Sequence, residues 1–272
     1  MRISLCNEVL ADLDFEHQCQ YASALGYDGL EVAPYTLTDD PRKLSENELY
    51  GYKAMAQDAG IAITSLHWLL LAPKGLSIVD PDSIVRSRTF DLMHRLVDQC
   101  ALLGGSVLVH GSPGQRHLER DGDRERAEEF FAAAGDRAGQ AGVTYCVEPL
   151  ARRETNFINT VAEAAELVRR LDRPALKTML DTSAAANTET DTPARLLETW
   201  LPSGLIAHIQ VNDRNRRGPG QGGDRFKAVL ETLGRHSWAG TIVVEPFIYK
   251  PDGPSTAALA IGYLRGLLED MT

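Results

Sequence analysis

Strand-like runs recur eight times along the chain, at Arg2–Cys6, Gly29–Ala33, Ala62–Leu69, Ser106–His110, Val143–Glu148, Leu176–Asp181, Ile206–Val211 and Thr241–Phe247. Helical patterns separate them. They fall near Phe15–Leu25, Glu46–Ala59, Arg124–Ala141, Thr160–Leu171, Pro193–Trp200, Arg225–Leu233 and Ser255–Leu268. One more places Phe90, Met93, Val97 and Cys100 on a single apolar face. Glycines at Gly26, Gly60, Gly104-Gly105 and Gly142 follow helical segments and precede strands, as C-capping residues do. No linker interrupts this rhythm.

Eight strand–helix units either close into a barrel or spread into a doubly wound sheet, and the open sheet usually carries a glycine-rich turn after its first strand. Here that strand runs into Leu5-Cys6-Asn7-Glu8 without a glycine. The expectation is therefore an α/β chain folded as a (β/α)8 TIM barrel, a single domain over residues 1–272, close to the typical barrel size of about 250 residues.

The balance of 43% hydrophobic and 24% charged residues excludes a disordered or membrane-embedded chain, and no apolar run reaches membrane-spanning length. The start of the sequence lacks the pattern of a secretion signal, and Cys6, Cys19, Cys100 and Cys146 lack metal-type spacing. Reduced thiols and a cytoplasmic location are expected. A net charge of −10 argues against a nucleic acid partner, leaving Arg214-Asn215-Arg216-Arg217 as a local basic segment that reads as a substrate loop.

Barrel enzymes place catalytic groups at the C-terminal ends of their strands. Four strands here end in such groups: Glu148-Pro149, Asp181-Thr182, Glu245-Pro246, and the seventh strand with His208, Gln210, Asn212 and Asp213. Any one carboxylate could be a helix cap. Three on one rim would repel one another unless they shared a cation, and oxygen donors favour Mg²⁺ or Mn²⁺, with Co²⁺ or Zn²⁺ easier to hold if a histidine joins. His67-Trp68 and His110 end the third and fourth strands and are candidate sugar contacts, whereas Glu8 and Glu31 read as structural acids. The glycines of the 212–222 loop read as flexibility over the mouth.

The segments from Glu148 through Glu154 to Thr160, Leu180-Asp181-Thr182, Gln210 to Gly220, and Val244-Glu245-Pro246 resemble the xylose-isomerase-like sugar isomerase/epimerase superfamily. The likeness is nearest to ketose 3-epimerases of the tagatose and psicose type, with hydroxypyruvate isomerases nearby. The resemblance implies one divalent metal, Mn²⁺ foremost, held by Glu148, Asp181, Gln210 and Glu245. Glu148 and Glu245 would also be the catalytic acid/base pair, acting on a small sugar substrate through an enediolate. Glu154 and Arg216 match substrate-binding positions, and similar barrels assemble as homo-oligomers.

Two positions depart from the epimerase pattern. The fourth ligand, a histidine in the epimerases, falls on Gln210, as in hydroxypyruvate isomerases; His208, on the same strand face about 6 to 7 Å deeper, is the alternative ligand and otherwise a supporting or substrate contact. A histidine expected three positions after the aspartate is Ala184. Epimerase and isomerase chemistry both remain open, as does a lyase or dehydratase acting through the same enolate. An endonuclease IV-like reaction would need more histidine ligands, and a non-catalytic sugar-binding role would keep the metal without turnover.

Overall fold

A computed structural model describes residues 1–271. Eight parallel strands close into one barrel in chain order: β1 (Arg2–Cys6), β2 (Gly29–Val32), β3 (Ala62–Leu66), β4 (Val107–His110), β5 (Thr144–Val147), β6 (Leu176–Asp181), β7 (Ile206–Val211) and β8 (Thr241–Val244). The helices are α1 (Phe15–Ala24), α2 (Glu46–Asp58), α3 (Ser83–Leu103), α4 (Asp123–Ala141), α5 (Val161–Leu171), α6 (Thr182–Thr188), α7 (Pro193–Trp200), α8 (Lys227–Arg235) and α9 (Gly253–Glu269). Every expected strand is present. The short α6 is not among the expected helices, because its seven residues, TSAAANT, carry no apolar periodicity.

The glycines at 26, 60, 104 and 142 all adopt positive φ, ending α1 to α4 with the left-handed residue that reverses the chain into the next strand. Along the strands, Leu5, Leu30, Leu66, Leu108, Tyr145, Leu180, Ile209 and Ile242 are fully buried in the main core, shared with helix residues such as Leu49, Leu96, Phe130 and Leu167. This continuous apolar layer between sheet and helices is where burial stabilises the fold.

Registered neighbours share a sheet face, so the pairings Cys6–Glu31, Glu31–Ser65, Val109–Cys146, Met179–His208, Asp181–Gln210 and Gln210–Val243 trace the opposite, inward face. Val109, Cys146 and Met179 make a small apolar cluster there. Polar groups occupy the rest. Gln210 on β7 hydrogen-bonds Glu31 on β2, strands that are not neighbours, so the contact crosses the barrel interior.

Four strands stop earlier than expected, at Val32, Leu66, Val147 and Val244. Glu148 and Glu245 still close the ladder through their N–H groups, to His110 O and Val211 O, each at 3.2 Å. The prolines that follow, Pro149 and Pro246, have no N–H to continue it. The two glutamates are thereby the last anchored residues before the rim. All four cysteines are buried and unpaired, and among the described residues no helix is long and apolar enough to cross a membrane.

At the seam between β8 and β1, α9 begins at Gly253, where an added Cβ would lie 1.8 Å from the Val9 carbonyl oxygen. Gly266, in the same helix, has nothing within 4 Å of that position. Gly253→Ala is expected to lower stability by about 1 to 3 kcal/mol through overpacking. Gly266→Ala is expected to raise it by up to about 1 kcal/mol through helix propensity. Urea denaturation of the two variants checks both signs.

Candidate active site at the barrel mouth

Glu148 and Glu245, each one residue past its strand, and Asp181, the last residue of β6, bring carboxylate oxygens within 4.8 Å of one another. All three are buried. Burial and the neighbouring Glu245 and Asp181 charges push the Glu148 carboxyl well above its ordinary value. Burial likewise carries Glu245 up to about 8 despite a hydrogen bond from His67, and Asp181 up to about 6 despite its own donors. Such a group of acids is stable when protons or a shared cation neutralise it.

The surroundings hold each acid in place. Asp181 caps α6, accepting the Ala184 N–H at 2.6 Å on Oδ1, and it accepts the Asn212 amide at 2.8 Å on Oδ2. Capping and ligation are compatible here, because each carboxylate oxygen offers a second lone pair. Asn212 is fully buried and also donates to Glu245 O at 2.8 Å, while its Oδ1 accepts from Ser183 N and the Thr182 hydroxyl, so one amide ties β6, β7 and β8 together.

Arg116, fully buried, donates to the Glu148 carbonyl at 2.6 Å and to the His110 carbonyl at 3.4 Å. Burial lowers its guanidinium to about 10, still cationic at neutral pH beside Glu148 and Glu154. Gly111 leaves room for the Glu148 carboxylate: a Cβ there would lie 2.3 Å from Oε2.

His67 bridges two acids, with Nε2 at 3.0 Å from Glu8 Oε2 and Nδ1 at 3.1 Å from Glu245 Oε1. Burial acts to lower its pKa, but Glu8, Glu245 and Glu31 together hold it well above the ordinary value, as an imidazolium. Cys6, Glu8, His67 and Glu245 form a second compact group of donor atoms. They are already bonded to one another through His67 and to Glu31 through Cys6.

Above the acids lies a cleft open to solvent. Of the residues singled out in the sequence, Glu148, Asp181, Glu245, Glu154, His67, Trp68 and Arg216 line it. Ala184 lines it too. Trp68 meets Phe247 edge to face at 6.4 Å, and the Arg216 guanidinium lies 4.6 Å over the Phe247 ring. Together they make an aromatic wall with a cation on it, suited to sugar carbons and hydroxyls.

Gln210 is in register with Asp181, fully buried, and its Oε1 has no hydrogen-bond partner. Glu245 Oε2 has none either. An orphaned buried oxygen on Glu245, within the acid cluster, and another on Gln210, in register with Asp181, are of the type a cation-binding donor set uses, although Gln210 itself does not line the cleft.

Two expected sugar contacts are not brought to the cleft. His110 is paired in register with Val147, on the outward face, where Nδ1 lies 2.8 Å from the Tyr145 hydroxyl and the ring packs against Phe130 and Phe131. His208 faces inward but lies below, with Nε2 at 2.8 Å from Glu31 Oε2. The 212–222 loop is also shaped differently from a flexible cover. Phe247 and Ile248 donate their N–H groups to Arg216 O, each at 2.9 Å, and a Cβ on Gly222 would lie 2.1 Å from the Asp213 carboxylate. That glycine serves close packing.

Sequence reasoning missed Arg116, Gly111 and Phe247. Arg116 sits in a polar loop with no periodicity to mark it, and Gly111 is one glycine among 23. Asn212 was visible at the end of β7, but only the register reveals that it reaches both neighbouring strands.

Barrel and site together define a (β/α)8 barrel protein with a buried carboxylate cluster at its C-terminal mouth. The chain belongs to the family described as xylose isomerase-like TIM barrel, which it matches over residues 19–267. A D-psicose 3-epimerase of Ruminiclostridium cellulolyticum is 30% identical over 243 residues, covering 87% of this chain and 80% of the relative. The 3-dehydro-D-guloside 4-epimerase of Escherichia coli is 24% identical over an alignment of 277 residues, covering 97% and 99%. These relatives are isomerase-class enzymes. A crystal structure of D-psicose 3-epimerase in the presence of D-fructose shares the fold with a TM-score of 0.83 at 22% identity, covering 98% of this chain and 99% of that one.

Gly111→Ala tests the packing of Glu148. Because the added methyl meets the far end of a side chain and not backbone, the variant is expected to keep the wild-type melting temperature within a few degrees. If the acid cluster takes a divalent cation, displacing the Glu148 carboxylate is expected to weaken that binding about tenfold or more by calorimetric titration.

Proposed function

We propose that the protein is a metal-dependent sugar epimerase that moves a proton at the carbon beside the carbonyl of a small ketose or keto-sugar. The observation that carries this reading is the meeting of Glu148, Asp181 and Glu245 within 4.8 Å at the floor of a cleft walled by Trp68, Phe247 and Arg216. The relatives' names favour the same chemistry. A 3-epimerase of psicose inverts the carbon beside its ketone, and a 4-epimerase of a 3-dehydro sugar does the same one position along.

Glu148, Asp181, Glu245 and the Oε1 of Gln210 would hold the cation. An all-oxygen set suits Mn²⁺, the first candidate, or Mg²⁺ better than Zn²⁺, with Co²⁺ between them. When bound, the cation supplies electrostatic stabilisation for the negative charge that develops on the carbonyl oxygen as the neighbouring C–H proton leaves.

Glu148 and Glu245 come from β5 and β8, non-adjacent strands of the rim, so that each can approach the sugar's reacting carbon from its own side. One removes the proton and the other returns it to the same carbon from the far side, which is epimerisation. His67 fixes Glu245 through Oε1 and leaves Oε2 open. Arg116 fixes the Glu148 backbone without occupying its carboxylate. Glu154 and Arg216 contact hydroxyls, and Trp68 and Phe247 cover the carbons and exclude water. With Ala184 in place of the family's histidine, one hydrogen bond to the sugar is absent, so the accepted substrate is not assumed to be psicose.

Incubation with Mn²⁺ and a panel of ketoses and 3-keto-sugars in D₂O tests the reading. The expected result is deuterium at the carbon beside the carbonyl and appearance of its epimer. No exchange on any member would reject proton transfer. Glu148→Gln and Glu245→Gln are each expected to lower kcat by about 10² to 10⁴, the range for loss of a general acid or base.

A further inference from the structure

Gln210 is the one neutral side chain in the ligand set proposed above, and its two ends are not equivalent. Oε1 can ligate a cation, whereas the NH₂ group only donates. The ends are nearly equal in size, so packing alone chooses poorly between them. A reversed amide would present hydrogens where a lone pair is needed.

Glu31 supplies the choice. Its carboxylate is fully buried inside the barrel and accepts the Gln210 Nε2–H at 2.7 Å on Oε1. A carboxylate accepts hydrogen bonds and cannot offer one to an amide oxygen. Turning the amide over would set two buried oxygens against each other at that distance and forfeit the bond. With the NH₂ end held, Oε1 of Gln210 is left buried and free of any hydrogen-bond partner.

Glu31 is itself constrained on several sides. The Cys6 thiol donates to its Oε1 at 3.5 Å, His67 Nδ1 stands 3.8 Å from the same oxygen, and His208 Nε2 lies 2.8 Å from Oε2. His208 is therefore engaged with Glu31, which explains why the histidine two residues before Gln210 is not placed among the rim acids.

We propose that Glu31 is a positioning residue of the metal site, holding Gln210 in the single amide orientation that presents an oxygen to the cation, with Cys6 and His208 holding Glu31. The proposal rests on Gln210 being the fourth ligand. It makes an interior acid of β2 part of the metal site although it does not itself ligate.

A double-mutant cycle on Mn²⁺ affinity tests it. Wild type, Glu31→Gln, Gln210→Ala and the double variant are titrated calorimetrically as full-length protein, with Co²⁺ visible absorption recorded in parallel. The amide introduced by Glu31→Gln could accept or donate, so both orientations of Gln210 become available. The expected result is a loss of affinity of about 10- to 100-fold in Glu31→Gln, the usual range for a ligand's supporting partner. Gln210→Ala is expected to lose at least as much and to change the Co²⁺ spectrum in the same sense. In the Gln210→Ala background, Glu31→Gln should cost nothing more.

Gln210→Ala weakened with Glu31→Gln unchanged would overturn the positioning role while leaving the ligand intact. An equal loss from Glu31→Gln in both backgrounds would overturn it as well, because Glu31 would then act without Gln210. No Mn²⁺ binding by wild type, or none lost in Gln210→Ala, would remove the ligand and the positioning role together. Should Glu31→Gln not fold, Glu31→Asp replaces it in the cycle, since the shorter side chain withdraws the acceptor from Gln210 and is expected to lower affinity in the same way.

Discussion

The mutual repulsion of three buried carboxylates is the constraint on which the rest of this site depends. Glu148, Asp181 and Glu245 lie within 4.8 Å of one another, out of bulk water, and burial and proximity push all three toward their protonated forms. A protein that keeps such a group must hold it rigidly, since separated acids would relax toward solvent. Proline after Glu148 and after Glu245 ends the ladder at those residues, the α6 N-terminus and Asn212 hold Asp181, and Arg116 holds the Glu148 carbonyl. The same crowding makes the cluster a strong candidate for one small, hard cation.

The interior beneath is polar on one side only. Val109, Cys146 and Met179 fill the region of β4 to β6, while Cys6, Glu31, His67, His208 and Gln210 form a linked set on the other side. Buried polar groups are tolerable when each finds a partner, and here they find one another. On Gln210 and Glu245, one carboxamide or carboxylate oxygen each is left without a hydrogen-bond partner. A barrel interior is usually apolar layers. This one sacrifices apolar packing to support its rim.

Much of this was legible in the chain. The β–α alternation predicts the barrel, because apolar runs separated by amphipathic stretches have few other ways to pack, and the Glu-Pro and Asp-Thr strand ends mark the rim. Side-chain direction was less accessible. His110 and His67 both end strands and look alike in sequence, yet one points outward to Tyr145 and the other inward to Glu8 and Glu245, a difference set by strand register. Glu31 reads from the sequence as a structural acid, like Glu8. Only closure of the barrel brings β2 within reach of β7.

The central claim is that the barrel mouth holds one divalent cation on Glu148, Asp181, Gln210 and Glu245. Anomalous diffraction from crystals grown with Mn²⁺ tests it most directly. The predicted result is a single strong manganese peak contacted by those three carboxylates and by the amide oxygen of Gln210. A cleft without a peak, or a peak seated instead on Cys6, Glu8 and His67, would contradict it.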